Sequence, residues 1–112
     1  MTEITFKLEG PDLASRRTAA SVRHNVISHV ASGKRVVVDL SQVESISFSY
    51  ADELFGVIAA VQGWDWLTKN VEVAGANQEI LRVIAESINR RLKETGQPVK
   101  QVHSRAPLTL IL

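Results

Sequence analysis

Residues 36–56, VVVDLSQVESISFSYADELFG, decide the fold of this 112-residue chain. The apolar run of residues 36–38, with Leu40 beyond Asp39, is continuous, which is typical of a strand buried on both faces of a sheet. After a polar stretch, five apolar residues recur at helical spacing: Ala51, Leu54, Phe55, Ile58 and Val61. The segment predicts a central strand, a loop and a helix that begins near Ser49, with Asp52 completing a weak capping box.

Two further strands are predicted on either side of this segment. Ile4, Phe6 and Leu8 alternate with polar residues and predict a first strand with one buried face. Val71 and Val73 predict a short third strand after the second helix.

Two more helices complete the pattern. Apolar residues at three- and four-residue steps predict a first helix over residues 13–32, with Asp12 as its N-cap. The same spacing predicts a third helix that begins after Asn77 and ends near Gly96. The order βαβαβα favours a single-domain open α/β sandwich, with a mostly parallel or mixed sheet covered by amphipathic helices.

The C-terminal residues 97–112 are the hardest to assign. They end in LTLIL, which has no polar face. This tail is either an edge strand or a segment covered by a partner, since an exposed apolar edge promotes aggregation. A homodimer formed through the tail is one arrangement that would cover it. We treat residues 1–112 as one domain.

Bulk composition limits the classes of function. Thirteen basic and twelve acidic residues give a formal charge of +1, which does not call for a nucleic-acid partner. Cysteine is absent, the first ten residues do not resemble a signal peptide, and no apolar run is long enough to cross a membrane. We therefore expect a cytoplasmic protein without membrane association.

Motifs for enzyme chemistry are absent from the sequence. It contains no Gly-rich phosphate loop and no Gly-x-Ser-x-Gly elbow. His24 and His29 are five residues apart and fall on different faces of one helix, which disfavours a zinc site. We expect a protein that is not an enzyme and needs no cofactor or metal.

Residues 36–56 resemble the central signature of STAS-type domains, the fold of bacterial anti-sigma-factor antagonists. In both, a hydrophobic strand ending in Asp-Leu-Ser precedes a short loop and a helix start rich in serine and small residues. The form SFSYADE is most similar to the uncharacterised STAS-like group.

This resemblance implies a regulatory module that binds another protein, a histidine-kinase-type ATPase or anti-sigma-like partner, through the loop and the start of helix two. On the antagonist pattern Asp-Ser-Ser-Gly, Phe48 stands where the phosphorylated serine would be. Ser47 and Ser49 flank it and are the candidate phosphorylation sites. The residues implied in partner binding are Ser47, Phe48, Ser49, Tyr50, Asp52 and Glu53.

Two other functions remain open at this point. Asp39, at the end of the central strand, could serve a small-ligand or nucleotide-sensing site with the amides of helix two, although a turn role for this carboxylate is simpler. Arg16, Arg17 and Arg23 make the start of helix one basic and could serve a nucleic-acid adaptor, although a solvated helix face is the commoner explanation for such charges.

Overall fold

The structure is a computed structural model that describes residues 2–96. Its strands are β1 Thr2–Lys7, β2 Asp12–Leu13, β3 Lys34–Asp39, β4 Ser45–Ile46 and β5 Val71–Ala74. Its helices are α1 Arg16–Ala31, α2 Phe48–Ala51, α3 Val57–Gln62, α4 Trp64–Asn70 and α5 Gln78–Glu94. A π-helical turn, Asp52–Gly56, joins α2 to α3.

The main sheet has the strand order β1-β3-β5, and both pairings are parallel. This confirms the predicted α/β class and the place of β3 at the centre. Val36 and Val38 are fully buried in the core, and Val37, which points to the opposite face, is 9% exposed. On that opposite face Arg35 donates to Glu72 of β5 at 2.7 Å. The predicted two-sided burial therefore holds for the middle of β3, whereas its start is polar on one side.

The segment 48–62 forms one continuous helix, because the backbone stays in the α region through the π-helical turn. We call this segment the central helix. It packs between α1 and α5. Its apolar stripe is fully or almost fully buried in the core and comprises Ala51, Leu54, Phe55, Ile58 and Ala59.

The start of the central helix corrects the sequence prediction. Ser47, not Ser49, is the N-cap, and its Oγ accepts a hydrogen bond from the backbone N–H of Tyr50 at 3.0 Å. The backbone N–H of Ser47 donates to the carbonyl of Leu13 at 2.8 Å, which holds the chain extended up to this residue. Ser49 consequently lies inside the first turn.

The start of α1 was also predicted too early. Asp12 does not cap this helix, because it pairs with Ser45 in a two-stranded parallel sheet formed by β2 and β4. The cap is Ser15, whose Oγ accepts from the backbone N–H of Thr18 at 3.3 Å. Neither this small sheet nor α4 was predicted.

The third predicted helix is confirmed at both ends. Asn77 caps α5 by accepting from the backbone N–H of Ile80 at 2.9 Å. Gly96, with φ +71°, follows the last turn in the left-handed conformation that glycine tolerates. The predictions made for residues 97–112 lie outside the described residues. Within residues 2–96, no helix has the length and apolar character that a membrane span requires.

Candidate functional site

Asp39 lies at the carboxyl end of β3, and its carboxylate forms a hydrogen bond with a neighbouring residue of the same turn. Its Oδ1 accepts a hydrogen bond from the backbone N–H of Ser41 at 2.9 Å. This bond lowers the pKa of Asp39 below its usual value, since it stabilises the charged form. The geometry is that of a turn residue, and a ligand-binding role for Asp39 stays a prediction.

The residues predicted to bind a partner divide into two groups. Ser47, Phe48 and Ser49 are partly exposed at the start of the central helix. Tyr50 is 1% exposed and belongs to the core, and this burial raises the pKa of its hydroxyl. A partner that meets the helix start as it stands can reach the first group but not the Tyr50 side chain.

Asp52 is nearly buried and forms ion pairs with two neighbouring helices. Arg91 of α5 donates to it through two nitrogens, Nε to Oδ1 and Nη2 to Oδ2, both at 2.8 Å. Arg16 of α1 donates to Oδ2 at 3.1 Å. The Arg91 bonds, followed by those from Arg16, lower the pKa of Asp52. Its carboxylate is therefore ionised and neutralised inside the molecule.

The Glu53 carboxylate forms ion pairs with two arginines of α1. Nη1 of Arg23 donates to the Glu53 carboxylate at 2.5 Å and to the Glu53 backbone carbonyl at 2.6 Å. Arg16 donates to the same carboxylate at 3.2 Å. The bonds from Arg23, and secondarily from Arg16, lower the pKa of Glu53. We call Asp52, Glu53 and their three arginines the ion-pair network.

Gly56 makes room for this network within the π-helical turn. A Cβ atom at Gly56 would lie 2.5 Å from Oδ1 of Asp52 and 3.1 Å from Cγ of Arg91. Non-bonded atoms do not approach to 2.5 Å, so any larger residue at position 56 would displace the Asp52 carboxylate and crowd Arg91. Single π-helical turns within α-helices frequently occur at functional sites.

An open groove lies beside the network, with a volume of about 410 Å³. We call it the arginine groove. It is lined by Arg16, Phe48, Asp52, Arg90, Arg91 and Glu94. The Arg90 guanidinium lies over the Phe48 ring, 5.5 Å from its centroid, which is a cation–π geometry. Nε of Arg90 also lies 3.6 Å from a carboxylate oxygen of Glu94.

The contribution of α5 to this surface was missed at the sequence level. Arg90, Arg91 and Glu94 fall at the end of an amphipathic helix, where the helix dipole already explains the basic residues. No local signal distinguishes them from an ordinary solvated helix end. Only the packing of α5 on the central helix brings them to Phe48 and Asp52.

The described part of the chain contains no cluster of metal-binding side chains. Residues 2–96 contain no group of three His, Asp or Glu side chains placed to hold a metal ion. His29 instead packs edge-on against Phe6, with ring centroids 5.3 Å apart.

A comparison with protein families assigns the chain. A family model described as a STAS-like domain of unknown function matches residues 18–81, more than half of the 112 residues. The chain therefore belongs to the STAS-like domain family, which confirms the resemblance found in residues 36–56. No curated protein and no solved structure gives a significant match. The family match includes the start of the central helix but ends before Arg90 and Arg91.

Proposed function

We propose that this domain is a non-enzymatic regulatory module that binds a histidine-kinase-type ATPase through the start of its central helix. Membership of the STAS-like family supports a regulatory role of the antagonist type. The residues that carry the contact in this proposal are Ser47, Phe48 and Ser49, with Arg90 beside them.

The observation that carries the proposal is the position of Phe48. Its ring is only partly buried and is not among the side chains that pack against the hydrophobic core. It lies instead at the arginine groove, beneath the Arg90 guanidinium. Aromatic and arginine side chains are enriched among the residues that dominate binding energy in protein interfaces.

The helix start that presents Phe48 is also held in place before any partner binds. The Ser47 hydroxyl accepts from the N–H of Tyr50 and donates to the carbonyl of Ala14 at 3.2 Å. The buried Tyr50 side chain anchors the same turn in the core. A pre-organised surface loses little conformational entropy on binding, which favours affinity.

The first test is capture of a partner from the native host by the wild-type protein and by Phe48→Ala. We expect a histidine-kinase-type ATPase to be enriched by the wild type and lost with the variant. Val61→Ala is the matched control, because Val61 is 72% exposed and lies 13 residues further along the same helix, roughly 20 Å from Phe48. Circular dichroism of both variants would establish that they are folded.

The outcome that contradicts the proposal is specific. If Phe48→Ala and Val61→Ala capture the same proteins as the wild type, the helix start is not the interface. If no ATPase is enriched by any of the three proteins, the proposed partner class is wrong.

We further propose Ser49 as the phosphoacceptor of this module. The Ser47 hydroxyl both accepts and donates a hydrogen bond, so its modification would remove the helix cap and the bond to Ala14. The Ser49 hydroxyl makes no hydrogen bond within residues 2–96 and lies in the first helical turn, where the dipole favours added negative charge.

This assignment is tested by incubating the captured ATPase and ATP with the wild type, Ser49→Ala and Ser47→Ala. Mass spectrometry should find phosphate on Ser49 in the wild type and in Ser47→Ala, and none in Ser49→Ala. Phosphate on Ser47, or on neither serine, would show that the assignment is wrong.

A further inference from the structure

We infer that the arginine groove receives an acidic segment of the partner, so that the interface extends from the central helix onto α1 and α5. This inference rests on the proposed function, because it specifies the partner chemistry of the same surface.

The charge of the groove favours an anionic segment. Three arginines and two carboxylates line it, which leaves one positive charge. The Asp52 side chain is only 7% exposed, and its carboxylate accepts hydrogen bonds from both Arg91 and Arg16. The exposed charged side chains of the groove are those of Arg90, Glu94 and Arg16, which are 67%, 57% and 48% exposed. A partner therefore meets two guanidinium groups and one carboxylate, so the exposed charge of the groove is positive.

Hydrogen-bond donors remain in the groove after the internal ion pairs have formed. Each guanidinium carries five N–H donors. Arg91 uses Nε and Nη2 on Asp52, and Arg16 uses Nη1 on Asp52 and Glu53. Within residues 2–96, these bonds leave Nη1 of Arg91 and Nη2 of Arg16 for another acceptor. Carboxylates match the planar fork of guanidinium donors, often with two parallel bonds.

Phe48 adds an apolar wall to this polar groove. Its ring lies beside Arg90 and can pack against the methylene groups of a glutamate or against one apolar neighbour. The chemistry that fits is a segment with two or more Asp or Glu residues and one apolar side chain. A basic segment would meet Arg16 and Arg90 at the surface, which opposes its binding. Of the two groove carboxylates, Glu94 already lies 3.6 Å from Arg90, and Asp52 could be reached only by displacing its arginines.

A titration that needs no captured partner tests the groove directly. Isotope-labelled full-length protein is titrated with hexaglutamate and, separately, with hexalysine, while NMR follows backbone amides and arginine side chains. We expect saturable shifts at Phe48, Arg16 and Arg90 with hexaglutamate, at a Kd of about 1 mM, and none with hexalysine. Arg90→Glu should weaken this binding by roughly tenfold, because it places like charges together.

Arg82→Glu is the matched control. Arg82 lies on the same helix, is 53% exposed and pairs with Glu79 and Glu86, but it does not line the groove. This variant should leave hexaglutamate affinity within about twofold of the wild type, since exposed charges far from a contact contribute little. Shifts centred on Arg82, or no shifts at the groove, would overturn the inference.

A second experiment separates this inference from the proposed function. The partner captured by the wild type is tested against Arg90→Glu and against rising salt. Loss of capture with Arg90→Glu, together with weaker capture at high salt, supports the acidic segment. Capture that depends on Phe48 but not on Arg90 or salt would overturn the inference and leave the proposed function standing.

Discussion

At the scale of single residues, Asp52 is the side chain on which the site depends most. It is 5% exposed, and a buried carboxylate without partners is strongly destabilising. Its bidentate pair with Arg91 and its bond to Arg16 offset this cost and at the same time orient both arginines along the groove. The same carboxylate therefore serves stability and the shape of the proposed interface.

Asp52→Asn should lower the free energy of unfolding by about 2 kcal/mol at pH 7, because it removes one charge from a largely buried pair. The folded-state pKa of Asp52 lies below its unfolded value, so the ionic stabilisation is complete above the unfolded pKa and is lost as the pH falls through the folded pKa. The difference between variant and wild type should be constant down to about pH 5 and shrink below about pH 4.

Urea unfolding of both proteins across this pH range measures the effect. Glu79→Gln is a suitable control, because the Glu79–Arg82 pair is exposed and an exposed ion pair contributes little to stability at any pH. A pH-independent difference for Asp52→Asn would mean that packing, and not charge, stabilises this position.

At the scale of elements, the central helix combines a buried stripe with a widened turn. Its apolar residues place it between α1 and α5, and the π-helical turn falls where Asp52 meets Arg91. Glycine normally destabilises a helix interior by up to about 1 kcal/mol relative to alanine. At this position Gly56 permits the close approach of the Asp52 carboxylate, which a Cβ atom would obstruct.

Gly56→Ala should therefore destabilise the protein by about 2 kcal/mol, although helix propensity alone predicts stabilisation. The added Cβ would stand 2.5 Å from Oδ1 of Asp52. A double-mutant cycle with Asp52→Ala, measured by urea unfolding, should show that Gly56→Ala costs less once this carboxylate is absent. Strict additivity of the two substitutions would argue against the clash as the cause.

At the scale of the whole molecule, stability should be unevenly distributed. β3 is hydrogen-bonded on both sides, by β1 and by β5, and carries fully buried valines. The small β2–β4 sheet has two residues per strand, and its side-chain bond between Ser45 and Asp12 is exposed. Since this sheet positions Ser47 at the start of the central helix, the proposed contact surface adjoins the less stable part of the fold.

Native-state hydrogen exchange should reveal this gradient. The amides of Val37 and Val38 should exchange roughly 100-fold more slowly than those of Ser45 and Ser47, because local opening of a two-residue pairing needs far less free energy than global unfolding. NMR-detected exchange on the full chain gives both rates in one experiment. Equal protection at the two places would show that the small sheet unfolds only with the core.

The order of the three main-sheet strands and the three long helices, and the caps of α5, could be predicted from the sequence, because hydrophobic periodicity and capping residues act over a few neighbouring positions. The family resemblance could be recognised for a similar reason, because it lies in one continuous segment, residues 36–56. The helix cap at Ser47 could not be predicted, because it depends on a hydrogen bond to Leu13, far away in sequence, that holds the chain extended.

The candidate site was predicted only in part. Ser47, Phe48 and Ser49 could be named from residues that lie next to one another in the chain. The arginine groove could not, because Asp52 meets Arg16 and Arg91 across 36 and 39 positions of sequence. The packing of three helices on one sheet decides which charged side chains meet. It pairs Asp52 and Glu53 with arginines inside the molecule, and it leaves arginines exposed at the groove.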